Sequence, residues 1–351
     1  MNLFSSPFSL CKTSGNLYCS FFDSLKYTKN MGYGAFLCIF LVFFLPAGSF
    51  AFDLQGHRGA RGLAPENTLA AFTTALKTGV STLELDIGLT ADGVVVVTHD
   101  PYLNPALTRD ASGQWLAGSK GPLIRSLSLA QVQAHDVGRI NPASTYARQF
   151  GTQQAQDGQR IPTLAALFEL VKAAGVTAVR FNIETKINPL EPDATASAEV
   201  MTRAMLKVVR DYGMTQRVTI QSFDWRTLKL VHQLEPGMPT ACLSIESTNA
   251  NNLRDANWTA GLRLADHASA PDLVKAAACT VWSPNNGALT QALVKQAQAL
   301  GLQVHPWTIN EPGDMTRLLD WGVDGIITDY PDRLRAILQQ RGMPVPAAAG
   351  Y

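Results

Sequence analysis

Charge of one sign is missing from this chain: 29 Lys and Arg stand against 28 Asp and Glu in 351 residues, a formal net charge of +1. Residues 1–51 hold three lysines and one aspartate, so without them the same count gives −1. Basic runs interleaved with aromatics are also absent, and a nucleic-acid partner therefore gets no support. Cysteine is scarce, with five residues and no Cys/His zinc spacing. The marked apolar run, Phe36 to Leu45, has ten residues, too few to span a bilayer. What remains is 46% hydrophobic, enough for a large core in one catalytic domain.

That short run reads instead as an export signal, followed by small residues at Ser49 and Ala51 where a signal peptidase cuts. Lys26 and Lys29 supply the positive start, which is lost if Met31 is the true first residue. The mature protein is expected to begin near Phe52, outside the cytoplasm, in the periplasm or secreted. Cys38 lacks small residues before it, which argues against a lipoprotein anchor. Cys242 and Cys279 are the cysteines left after cleavage, and buried free thiols are the preferred reading over a pair. The tail from Gly342 to Tyr351, with two prolines and three alanines, reads as disordered.

Reactive groups concentrate between Gly56 and Asp100. His57-Arg58-Gly59, Pro65-Glu66-Asn67-Thr68, Glu84-Leu85-Asp86 and His99-Asp100 follow one another there. Imidazole moves protons near neutral pH, carboxylate oxygens suit a hard divalent cation, and guanidinium holds a phosphoryl anion. In a strand, Thr82 to Ile87 puts Glu84 and Asp86 on one face and Leu83, Leu85 and Ile87 on the other. Asp92-Gly93 signals a hairpin into Val94 to Thr98, which sets Asp86 roughly opposite His99. A later strand, Arg180 to Thr185, carries Asn182 and Glu184 on the face that Lys186 continues.

These pieces, with Ile161-Pro162-Thr163-Leu164, Ser222-Phe223, Trp307-Thr308-Ile309-Asn310 and Gly325 to Pro331, resemble the glycerophosphodiester phosphodiesterases in order and spacing from Asp53 to Leu338. The resemblance implies a TIM-type (β/α)8 barrel and hydrolysis of a glycerophosphodiester to glycerol 3-phosphate and an alcohol, with one divalent metal, Ca²⁺ or Mg²⁺. By position, Glu84, Asp86 and Glu184 bind that metal, and His57 and His99 are the catalytic acid and base. Arg58 and Lys186 neutralise phosphate. Thr185, where the family often has an aliphatic residue, and the long segment after His99 are departures, and the second leaves the leaving alcohol open. Glu66 either orients His57 or Arg58, or belongs to a helix start. Phe223 and Trp307 are pocket wall or core.

Independently of that resemblance, strand-like and helix-like runs alternate from Leu54 to Gln340, and eight strands remain if Val94 to Thr98 is a hairpin arm. An open sheet accommodates the same count. The barrel domain is placed at 52–341, with an insertion over about 101–160 where periodicity fails. Leaving the barrel just after His99, that insertion is expected to overhang the site. Two rivals stand: a sphingomyelinase D-like or phosphoinositide-type lipase on the same scaffold, and an exported binding protein without catalysis. The second would be expected to lack one of the five metal or proton-transfer residues, and none is missing.

Overall fold

A computed structural model describes residues 52–350. The export segment expected over residues 1–51 lies outside the described residues. Among the described residues nine strands form: β1 (Asp53–Gly56), β2 (Thr82–Leu89), β3 (Val95–Val97), β4 (Arg180–Thr185), β5 (Val218–Ser222), β6 (Thr240–Ser244), β7 (Val281–Pro284), β8 (Gln303–Val304) and β9 (Gly325–Thr328). Eight are parallel, in the order β8-β7-β6-β5-β4-β2-β1-β9, while β3 pairs antiparallel with β2. Between β8 and β9 the wall is closed by Asp324 N to Val304 O at 3.1 Å, Ile327 N to Pro306 O at 3.1 Å and Ile309 N to Ile327 O at 3.0 Å. Pro306 has no N–H, so the strand expected over Gln303–Thr308 is regular only at its start. This is a nearly closed TIM-type barrel.

Helices alternate with the strands because the βα loops end in good caps. Thr68 starts α1 (Leu69–Thr78), Thr163 α3 (Leu164–Ala173), Ser197 α4 (Ala198–Asp211), Asp224 α5 (Trp225–Leu234), Ser269 α6 (Ala270–Ala276) and Thr290 α7 (Gln291–Ala299), each accepting a backbone N–H. Prolines begin α8 (Pro312–Trp321) and α9 (Pro331–Gln340). Their apolar faces join one core with the outward residues of the strands, such as Leu83, Leu85 and Ile87 of β2 and Phe181 and Ile183 of β4. The lumen is therefore left to the alternate residues, and here they are polar. Asn182 donates to both Gln55 Oε1 and Gln221 Oε1 at 2.9 Å, and Gln221 donates to Glu84 Oε1 at 2.7 Å.

The β2–β3 hairpin register sets Ile87 against Val97, so Asp86 lies opposite Thr98, one residue short of His99. The insertion contains α2 (Leu129–Gln133) and contributes to a small separate core of Val96, Leu103, Ile124, Val132 and Ile161. Arg125 ties it to the β4–α4 loop through the carbonyls of Asp193 at 2.8 Å and Thr195 at 3.0 Å.

Two expectations are corrected. Cys242 and Cys279 form a disulfide, with Cα atoms 5.9 Å apart. Strand pairing accounts for it: Cys242 sits opposite Trp282 in the β6–β7 ladder, and Cys279 lies just before that strand. Closing a loop of 37 residues, the bond is expected to stabilise the fold by about 3–4 kcal/mol. A Cys242→Ala/Cys279→Ala double variant should melt about 6–15 °C lower in calorimetry. The tail is ordered as far as Gly350 rather than loose. Met343, Val345 and Ala349 pack on the core, Ala349 N bonds Leu76 O at 2.9 Å, and Arg335 bonds Pro346 O at 2.6 Å.

Candidate active site

At the C-terminal ends of the strands the predicted residues meet around a cavity of about 180 Å³, lined by His57, Arg58, Glu84, His99, Glu184, Lys186, Phe223 and Trp307. The turn after β1 builds one side. Arg58 has φ 49° and Asn67 φ 54°, unusual for residues with a Cβ and costly unless function holds them there. Gly59, at φ 84°, is required because a Cβ would come within 2.7 Å of the Ala71 backbone. This turn aims the Arg58 N–H at Glu84 Oε2, 2.8 Å away.

Glu84, Asp86 and Glu184 are buried and present oxygens within 4.8 Å of one another. Register explains the meeting, since Asp86 and Glu184 are direct partners across β2 and β4. Asp86 Oδ2 accepts from Asn67 at 2.9 Å, but Oδ1 has no hydrogen-bond partner among the described residues. Lys186 Nζ stands 2.6 Å from Glu184 Oε1 and 3.8 Å from Asp86 Oδ1. Burial and then the Asp86 charge raise Glu84 well above the usual carboxylate range. Glu184 rises to about 7 through burial, against which Lys186 pulls. In Asp86 burial is outweighed by His99, Arg58 and Lys186, and the group stays ionised. Three buried carboxylates facing one point, one oxygen unpartnered, fit a hard cation.

His57 is the most constrained group. Its Nδ1 lies 2.6 Å from Asp329 Oδ1, and Asp329 is itself clamped by Arg61 at 2.8 and 3.0 Å and by Asn310 at 2.7 Å. Asp329 is ionised, because His57 and Arg61 outweigh its burial, so it accepts the Nδ1 proton and leaves Nε2 with a lone pair. Burial and then Arg61 lower the His57 pKa to about 4, and the ring is neutral at pH 7. His99 is lowered by burial, Arg58 and Lys186, with its Nδ1 3.1 Å from Asp100.

Glu66 serves Arg58, not His57: Arg58 Nη1 is 2.6 Å from Glu66 Oε1, while Thr68 takes the helix cap. From the insertion, Tyr146 donates to the other Glu66 oxygen and accepts from Arg61 Nη1 at 3.1 Å. Removing that hydroxyl in Tyr146→Phe should loosen Arg58 and raise KM about tenfold with kcat little changed, a comparison that steady-state kinetics makes directly. Phe223 and Trp307 pack edge to face at 5.4 Å on the cavity wall, with Trp307 Nε1 bonded to Ser283 O. His305 is not part of the site; it bonds Gln55 inside the barrel, near Asp53 and Asp324.

Sequence reasoning missed Asp329, Arg61, Gln221 and Tyr146. Asp329 lay in a quoted motif without a role, and Tyr146 lies where no periodicity marks anything.

The sequence profile of the glycerophosphoryl diester phosphodiesterase family matches residues 57–333. A glycerophosphodiester phosphodiesterase of Bacillus subtilis is 34% identical over 281 residues, 79% of this chain and 83% of the relative. A crystal structure from Silicibacter pomeroyi, assigned to the glycerophosphoryl diester phosphodiesterases, has a TM-score of 0.75 at 38% identity and covers 84% of this chain and 95% of its own. An Oleispira antarctica phosphodiesterase solved with its product sn-glycerol-3-phosphate shares the fold, with a TM-score of 0.61 at 23% identity over 83% of this chain and 98% of that one. With this site on this barrel, the chain belongs to the glycerophosphoryl diester phosphodiesterase family.

Proposed function

We propose that the protein hydrolyses a small glycerophosphodiester to sn-glycerol 3-phosphate and an alcohol, using one divalent cation held by Glu84, Asp86 and Glu184. The observation that carries this reading is the meeting of those carboxylates with two imidazoles, Arg58 and Lys186 at one cavity. The product bound by the Oleispira relative supports it. A divalent cation held by Glu84, Asp86 and Glu184 would supply Lewis-acid charge for the phosphate chemistry. Arg58, fixed by Glu66, and Lys186 share the remaining phosphate charge.

His57 Nε2 takes the proton of the attacking hydroxyl, and Asp329 stabilises the imidazolium that results. That hydroxyl is either of water or of the neighbouring glycerol oxygen, in which case water opens the resulting cyclic phosphate in a second step. His99 returns a proton to the leaving oxygen. The negative phosphate beside it raises its proton affinity when substrate binds. Phe223, Leu243 and Trp307 exclude water from the far wall. The testing assay is release of glycerol 3-phosphate before and after chelation, with Ca²⁺ or Mg²⁺ added back. No release under any of these conditions refutes the reading, and release that chelation does not touch refutes its metal.

Protons compete with the cation. Glu184, raised to about 7, and Glu84, also raised, both hold protons in the empty site at low pH, so affinity should fall as pH drops below 7, by up to about tenfold per pH unit for each proton displaced. Calorimetric titrations at pH 5.5, 7 and 8 check the slope and the protons released. Location outside the cytoplasm is part of the proposal, and the Cys242–Cys279 bond supports it, since such bonds persist in oxidising compartments. Fractionation followed by N-terminal sequencing, expected to give a start near Phe52, decides that point.

A further inference from the structure

A second cavity, about 570 Å³, opens directly from the first; His99, Glu184, Lys186 and Phe223 line both. The inner chamber of about 180 Å³ is smaller than the ~300–1,000 Å³ usual for small-molecule sites, so it holds only part of a ligand. His57 faces the inner chamber alone, whereas His99 faces both. A group leaving toward His99 therefore departs into the outer groove.

The walls of that groove are apolar: Pro101, Ile187, Leu190, Phe223, Ile245 and Trp258. Leu190 is 60% exposed, and only Val200 joins it as a large exposed apolar side chain among the described residues. The polar groups around it are mostly occupied. Asn188 accepts from Leu190 N at 2.9 Å, Asn251 from Leu253 N at 3.0 Å, and Asn252 accepts from Ile245 N at 2.9 Å. Asp100 is engaged by His99 and Asn104, and Glu184 by Lys186. Glu191 and Asn249 are the exceptions, both exposed, while the unpartnered Thr195 hydroxyl is itself covered. Along the apolar walls a polyol would find little to bond, and the one unengaged carboxylate lining the groove, Glu191, is exposed.

We infer that the outer groove binds the leaving alcohol, and that this alcohol carries an aliphatic chain. The inference rests on the hydrolytic reading above. Arg125 matters to it as a positioning residue, because it holds the Asp193 and Thr195 carbonyls of the loop that carries Leu190.

Glycerophosphate esters of methanol, butanol and octanol separate the two ideas, since their leaving groups differ in length with almost no change in acidity. With the metal-loaded protein, below the micellar concentration of the octyl ester, kcat/KM should rise about twofold per methylene. Full burial would give about fourfold, and the groove is open on one side. Methyl to octyl is then about a hundredfold. Leu190→Asp, at an exposed position that does not threaten the fold, should cut the octyl-to-methyl ratio about tenfold. A flat series with the methyl ester still hydrolysed overturns the groove assignment and leaves the hydrolytic reading standing. An unchanged ratio in Leu190→Asp overturns it as well. Release of glycerol 3-phosphate from none of the esters overturns the hydrolytic reading and this inference together.

Discussion

His57→Ala is expected to lower kcat by about 10²–10⁴-fold with metal affinity unchanged, because proton transfer and metal binding fall to different side chains. The geometry sharpens this expectation. His57 Nε2 is 3.9 Å from Glu84 Oε2, beside the carboxylate cluster, and its other nitrogen is committed to Asp329. Asp329→Asn should therefore do nearly as much damage. An amide donates to Nδ1 where the carboxylate accepted, which moves the proton to Nε2 and removes the base, with an expected loss of about 10²–10⁴-fold in kcat. Turnover and metal titration of the two variants provide the check. If either loses the metal, the division of roles is wrong.

Removal of a metal ligand should read out in the opposite way. Glu84→Ala, Asp86→Ala and Glu184→Ala are each expected to weaken metal binding by about a hundredfold or more, with activity partly recovered at high metal concentration. The three will not behave alike. Glu84 also receives the Arg58 N–H and the Gln221 amide, so its loss leaves two buried donors unpaired and should cost an additional ~1–3 kcal/mol of stability. Glu184→Ala frees Lys186, whose ammonium then turns to Asp86 and competes with the metal directly. Calorimetric metal titrations beside thermal melts distinguish these patterns, and wild-type affinity in all three would place the metal elsewhere.

The barrel and the reactive set were legible because each rests on a local pattern. Period-two alternation around Glu84 and Asp86 names the lumen face of β2, and the alternation of strand-like and helix-like runs gives the barrel. Pairings across the barrel were not legible. Asp329 reaches His57 only because β9 lies beside β1, a fact of closure that no neighbouring residue announces. The disulfide was misread for the same reason: it depends on the β6–β7 register, and either thiol state suits a strand. The insertion was read as aperiodic because it contributes only Leu103, Ile124 and Val132 to a small core completed by Val96 and Ile161, with a single short α-helix among them.

Closure by the last strand has a consequence for the order in which function appears. All three carboxylates and both imidazoles are in the chain by Glu184, yet the group that fixes the His57 tautomer lies 272 residues after that histidine. A chain emerging from synthesis thus carries a full set of reactive side chains for a long interval while its base remains unset. The contact that orients His57 forms only when the final strand seats against the first, and the site is completed last.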